Sequence, residues 1–429
     1  MPTSLSSPMQ HVLHLHDFRL LWLGQATSLL GDQFYMVAGP WLVLKLTGDP
    51  LALGAVLAVG AIPRAVVMLL GGAITDRLSP RRIMLASDVI RLFWFLVMFV
   101  LVGTGQIQVW MLYLSSFIGG ILSGLFIPAS SSIIPTLVPQ EVLQAGNSIF
   151  QGSSQLIGFI GPALAGLVIG AFGGGIQAIA LAYGIDVVSF IASVVTLWLM
   201  HSKHSGSAAR LKENVWQSIA TGIRSAWNDG FLRLGFILIA FANLFFAGPL
   251  LVGIPVLASQ RLPEGATAYG LILAAYAGGN LLGIILSGAL PKLSPDRAKV
   301  FTLGLFTLFG LGMIALGQIT ATWMGFVLML VMGTGNGYLS ITLITAIQHR
   351  TPRELLGRTM GLVMLANLGL LPISQFLSGA LSSWNVSILM AAGGTGMLLL
   401  AVWLLGQRGL ELMAVPLAAD VSPVPATNE

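Results

Sequence analysis

The sequence predicts an all-α membrane protein of twelve transmembrane helices, arranged as two pseudo-symmetric six-helix bundles with both termini in the cytoplasm. Three observations carry that expectation. Of 429 residues, 56% are hydrophobic and only 8% charged, and the mean hydropathy is +0.90. Soluble domains carry about 25% charged residues, so lipid rather than water must cover this surface. Apolar runs of about 20 residues, enough to cross a hydrocarbon layer about 30 Å thick, recur along the chain. Short motifs also repeat in register between its two halves.

The runs fall near Leu20–Leu46, Leu51–Ile74, Ile83–Gly103, Val109–Pro128, Ile149–Phe172 and Ile176–Met200. After an interruption they resume at Phe231–Ser259, Tyr269–Leu290, Val300–Ile319, Trp323–Ile347, Met360–Leu381 and Val386–Leu405. The first is too long for a signal-peptide core and no small-residue cleavage site follows, so it reads as a retained span. The expected divisions are a bundle over residues 1–200, a linker over 201–229, a second bundle over 230–406 and a disordered cytoplasmic tail over 407–429. Within the linker, Trp216, Ile219, Ile223 and Trp227 share one helical face. That pattern suits an amphipathic helix lying among cytoplasmic headgroups.

Charge sets the orientation. The net charge is +5, but Lys and Arg crowd the short loops that twelve spans place on one side. Only Lys45 and Arg261 fall on the other, and Arg64 lies inside a span. This is the positive-inside pattern, and no nucleic-acid partner is expected. The lipid bilayer is the expected partner of a chain read as a monomer. The absence of Cys excludes disulfides and thiolate chemistry.

The repeats support a duplicated half. Ala38-Gly39-Pro40 returns as Ala247-Gly248-Pro249, and Arg77-Leu78-Ser79-Pro80 as Lys292-Leu293-Ser294-Pro295. Pro139-Gln140-Glu141-Val142-Leu143 returns as Pro352-Arg353-Glu354-Leu355-Leu356, and the three separations lie between 209 and 215 positions. Transporters often duplicate a half in this way.

Two motifs carry local chemistry. In the loop after the second run, Gly72 permits close helix contact, and Asp76 can accept from Arg77, Arg81 and Arg82. Such a cluster, joined by Asp88 and Arg91 one turn apart at the start of the third run, could latch the cytoplasmic side. In the fifth run, Gly158, Gly161 and Gly166 thin the helix around Pro162, which removes a backbone donor. The pattern fits a gating helix or ordinary close packing.

The stretch Gly71-Gly72-Ala73-Ile74-Thr75-Asp76-Arg77 resembles the loop signature of the major facilitator superfamily, although Ser79-Pro80 stands where a single Gly is commoner. Gly158 to Gly166 is similar to the Gly-Pro motif of superfamily exporters. With Gly31-Asp32, Leu46-Thr47-Gly48 and Ser87-Asp88-Val89-Ile90-Arg91, the chain resembles the branch holding bacterial enterobactin-type siderophore exporters and macrolide-efflux proteins. The resemblance implies proton-driven export of an amphiphilic drug, siderophore or secondary metabolite across a bacterial inner membrane, by alternating access, with that small-molecule substrate and the proton as partners. Lipid or lysophospholipid transport and uptake by proton symport are rival transport readings, and a membrane scaffold for a biosynthetic complex is the non-transport one.

Ionisable groups inside apolar runs are costly and point to function. Asp32 lies in the first run, and the repeat puts apolar Phe241 at its counterpart. It is the candidate for proton coupling, with Asp186 second; a carboxylate bonding a broken helix is the structural alternative. Arg64 could pair with Asp32 or meet an anionic substrate group. Asn243, Asn280, Asn336, Asn367 and Gln375 are candidates to line a cavity or to bond helix to helix. His11, His14 and His16 fit a surface face better than a metal site. Gly333-Thr334-Gly335-Asn336-Gly337 lacks the Lys and strand of a nucleotide loop. No catalytic constellation is present, so neither enzymatic activity nor a cofactor is expected.

Overall fold

A computed structural model describes residues 8–201, 229–291, 294–351 and 356–407, with the side chains of 70–77, 295, 357 and 358 also outside the description. The expected amphipathic linker and tail, and the side chains of Gly72, Asp76 and Arg77, therefore lie outside the described residues.

Among the described residues the chain is helical throughout, with no strand. A short α1 (Pro8–His14) leads into α2 (His16–Thr47), α3 (Pro50–Arg77), α4 (Pro80–Gly103), α5 (Val109–Leu137), α6 (Leu143–Ala171) and α7 (Ile176–Leu199). Beyond residue 229 come α8 (Gly230–Ala242), α9 (Gly248–Arg261), α10 (Ala266–Ala289), α11 (Pro295–Leu316), α12 (Thr322–Arg350), α13 (Leu356–Gly369), α14 (Leu371–Trp384) and α15 (Val386–Leu405).

Local chemistry sets the boundaries. Ser79 and Ser294 are the N-caps of α4 and α11, each followed by Pro at the first helical position, where its missing N–H is no loss. The repeated Leu-Ser-Pro motif is thus a helix start in both halves. Gly48, at φ 63°, closes α2 by donating to the Leu44 carbonyl, a left-handed cap that favours glycine. The Asp229 carboxylate accepts from the amides of Phe231 and Leu232, and the Asn385 side chain accepts from that of Ser387.

Two expected continuous spans are interrupted. A π turn at Asn243–Ala247 separates α8 from α9, and the Ser374 hydroxyl donates to the Leu244 carbonyl within it at 2.6 Å. The eleventh run divides between α13 and α14 just before Pro372, which cannot donate to a continuing ladder.

Among the described residues, eleven segments are long and apolar enough to cross a membrane, counting Gly230–Arg261 and Thr359–Trp384 as single spans. The helix α2 is outside that set. Its 32 residues would reach about 48 Å at 1.5 Å each, but Asp17, Arg19, Gln25, Asp32, Gln33 and Lys45 lower its apolarity. Large apolar side chains face outward, and Trp198, Trp323 and Trp384, 69% to 80% exposed, sit at helix ends. Indole rings favour that depth in a bilayer.

Helices α2–α7 pack on one another, and so do α8–α15. The pairs α3/α5 and α10/α12 are extensively packed, as are α2/α7 and α11/α15. The two groups meet chiefly where α3 crosses α14 and α6 crosses α10. Both crossings use glycine. A Cβ on Gly54 would lie 2.7 Å from Gly379 Cα, and one on Gly166 2.8 Å from Gly270 Cα. These crossings lie at the Pro50 end of α3, opposite the end leading into the α3–α4 loop.

Candidate functional site

Two adjoining cavities, each about 320 Å³, lie on the inner face of the first group and share Asp32, Arg64, Arg91 and Ser123. One extends past Gln25, Ser28, Ser130, Ser153 and Ser154. The other runs between the groups, from Tyr35, Phe95 and Tyr183 to Leu251 of α9, Tyr269 of α10 and Gln375 of α14.

Arg91 is placed there by the length of α4. It lies 11 residues beyond Pro80, roughly 16 Å along the helix at 1.5 Å per residue, and is buried. Its guanidinium lies 4.8 Å from the Phe126 ring and 5.9 Å from that of Phe190, and it donates to Ser123 Oγ at 3.1 Å. Asp88 is fully buried behind it, with Oδ1 3.9 Å from Arg91 Nη1. Asp88 Oδ2 accepts from Ser193 of α7 at 2.6 Å. The sequence groups this pair with the loop latch, whereas in the fold both point inward. Arg64, also lining both cavities, has no ion pair within 4.0 Å among the described residues.

Asp186 is buried on α7. Its Oδ1 accepts from Ser189 at 3.2 Å, while Oδ2 has no hydrogen-bond partner among the described residues. It reaches α2 where Gly31 leaves room, since a Cβ there would stand 2.5 Å from Asp186 Oδ1. Asp186 thus abuts the turn that carries Asp32.

An aromatic wall borders the charges. Tyr35 meets Phe95 edge-on at 4.9 Å between ring centres and Tyr183 at 5.8 Å. The Tyr269 hydroxyl donates to the Met36 carbonyl across the two groups at 3.3 Å. These residues escaped the sequence reading because an aromatic inside an apolar run carries no periodic mark.

Asn243, Asn336 and Asn367 line a further cavity of about 250 Å³ in the second group, with Tyr276 and Ser340. Asn243 donates to Asn367 at 3.3 Å and Asn280 to Asn336 at 3.1 Å. Gln375 lies in the cavity between the groups, where its Oε1 has no partner among the described residues.

Arg81 serves as a cap. It donates to the carbonyls of Leu197 and Trp198 at 2.8 Å each, at the end of α7, where cations are favoured. Arg82 is exposed. On α6, Pro162 lies within one continuous helix. Gly161 faces the Gln33 side chain, and Gly166 faces α10. A Cβ on Gly158 would meet nothing within 4 Å.

A bundle of membrane-crossing helices around a charged and aromatic cavity, closed at one end by glycine crossings, defines a membrane transporter. Residues 21–373 match the Major Facilitator Superfamily, and the chain belongs to it. It is 26% identical over 414 residues to the multidrug efflux pump Tap of Mycolicibacterium fortuitum, covering 92% of this chain and 98% of that one. It is 23% identical over 367 residues to macrolide efflux protein A of Streptococcus pyogenes, covering 84% and 88%. It is 24% identical over 391 residues to the enterobactin exporter EntS of Escherichia coli, covering 90% and 91%. Among solved structures it is similar to the nucleoside transporter NupG, with a TM-score of 0.74 at 12% identity, covering 91% of this chain and 100% of that one. The peptide transporter POT in complex with sulfate gives 0.67 at 16%, covering 96% and 100%. These likenesses show a transporter fold in a multi-pass bacterial membrane protein, and the relatives are transporters rather than enzymes.

Proposed function

We propose that the chain is a proton-coupled exporter of small amphiphilic compounds, working by alternating access. One observation carries the reading. Asp32 shares a cavity with Arg64, Arg91 and an aromatic wall, and that cavity reaches both helix groups. An amphiphile finds apolar area on Tyr35, Phe95 and Tyr183, and polar partners in the charges and Gln375. Similarity to pumps named for multidrug, macrolide and enterobactin efflux favours export over uptake or scaffolding.

In this reading α2 is a twelfth span and both termini face the cytoplasm. The helix groups, meeting at the Pro50 end of α3, part there when the loop end closes. The loop cluster of Asp76, Arg77 and Arg82 latches the second state, and Pro162 and Gly166 form the surface on which α6 rocks against α10, while Gly161 lets α6 close on Gln33 of α2. The transporter acts as a monomer. Asp32 exchanges the coupled proton, and Arg64 and Arg91 hold the cavity's countercharge.

Reconstituted vesicles test the assignment with a fluorescent macrolide and an imposed pH gradient. The Asp32→Asn form should lose gradient-driven accumulation by at least about tenfold, while still binding the compound. Equal accumulation by the two proteins would remove Asp32 from coupling and leave Asp186, one of whose oxygens has no partner among the described residues, as the carrier.

A further inference from the structure

We propose that His16, Asp17 and His201 form a binding site for one borderline-soft divalent transition-metal ion, such as Zn2+, Ni2+ or Co2+. The site joins the start of α2 to the end of α7 and lies apart from the cavities. His16 and Asp17 open α2, and His201 follows Met200, the C-cap of α7. Although 184 positions separate Asp17 from His201, the α2/α7 packing brings them together, and the His201 amide donates to Asp17 Oδ1 at 3.2 Å.

The geometry suits a small ion. One ligand atom from each of the three side chains lies within 4.8 Å of the other two. His16 Nδ1 stands 3.2 Å from Asp17 Oδ1, near the ~3.4 Å edge of a tetrahedron with metal–ligand bonds of about 2.1 Å. Two imidazoles on such an ion have ring centres about 5 Å apart, and those of His16 and His201 are 5.4 Å apart and inclined by 54°. Small side-chain rotations complete the approach. The His201 backbone amide also fixes the direction of the carboxylate, as outer-shell donors do.

The donor set selects the ion. Two imidazoles and one carboxylate suit Zn2+, Ni2+ and Co2+ better than Mg2+ or Ca2+, which take oxygen ligands. Both rings are exposed, so the ion enters from water and a solvent molecule completes the shell. Bound there, it clamps the two helices beside the point where the chain leaves the first group.

The sequence alone groups His16 with His11 and His14. Only the fold supplies His201.

The experiment uses the full chain in detergent, expressed without a polyhistidine tag and stripped with chelator. Titration with Co2+ should show one ion per chain and the visible bands of a tetrahedral site, and Zn2+ should displace it. His16→Ala and His201→Ala should each weaken binding by at least about tenfold, since even outer-shell changes cost 10- to 100-fold. His11→Ala combined with His14→Ala should leave it unchanged. In the unsubstituted protein, Zn2+ should protect His16 and His201 from diethyl pyrocarbonate, a readout independent of any variant's folding. The site is refuted by absence of saturable uptake, or by uptake that survives loss of both His16 and His201.

Discussion

At the scale of single residues, the Asp88–Arg91 pair shows how a buried charge is held. Asp88 has a hydroxyl partner for one oxygen, and among the described residues the other meets only the guanidinium 3.9 Å away. Removing one member of a buried pair strands the other, which typically costs 3–5 kcal/mol. The long contact here argues for the lower part of that range. Arg91→Ala should therefore destabilise the protein by about 3 kcal/mol, seen as a lower unfolding temperature in detergent. Combining it with Asp88→Asn should restore at least half of the loss, because the amide oxygen still accepts from Ser193. A double variant as unstable as the single one would show that the pair is not coupled.

At the scale of the helix, α6 carries two glycines with opposite demands only eight residues apart. Gly166 packs on the α10 backbone, where an added Cβ would lie 2.7 Å from the Ala266 carbonyl oxygen. Gly166→Leu should wedge α6 from α10 and disfavour the state in which this end is closed. The absence of native Cys makes that measurable: a single cysteine introduced at Thr267 should react faster with a water-soluble maleimide in the Gly166→Leu background. Gly158 faces open space, so Gly158→Ala should keep transport and gain up to about 1 kcal/mol of helix stability. Loss of transport in Gly158→Ala, or an unchanged labelling rate in Gly166→Leu, would contradict this division. The glycines were legible in the sequence. Their different neighbours were not, because α10 lies about a hundred residues further along the chain.

At the scale of the whole molecule, orientation remains the work of the loop charges. With Lys45 and Arg261, in the last turns of α2 and α9, the only cations that twelve spans would put at the opposite face, reporter fusions after Met200 and after Arg408 should both give the cytoplasmic signal. An external signal at either site would exclude six spans in each half with both ends inside. Whether α2 crosses the bilayer is tested by a third fusion at the N-terminus, since six spans separate Met200 from Arg408 in either case and without α2 the N-terminus would lie on the side opposite both.

The all-helical membrane class, the family and the runs that became eleven membrane-length spans among the described residues were readable from the amino-acid sequence alone. Those properties follow from composition, hydropathy and short motifs, which act locally along the chain. The sequence also marked Asp32, Arg64 and Asp186, because an ionisable group within an apolar run is conspicuous wherever it points. Only the tertiary structure decided that Asp88 and Arg91 turn inward and that Tyr35, Tyr183 and Tyr269 wall a cavity. The π turn at Asn243–Ala247 and the meeting of His16 with His201 were likewise decided there. Each depends on which helix packs against which, and that choice rests on contacts between residues distant in sequence, where no local pattern records the partner.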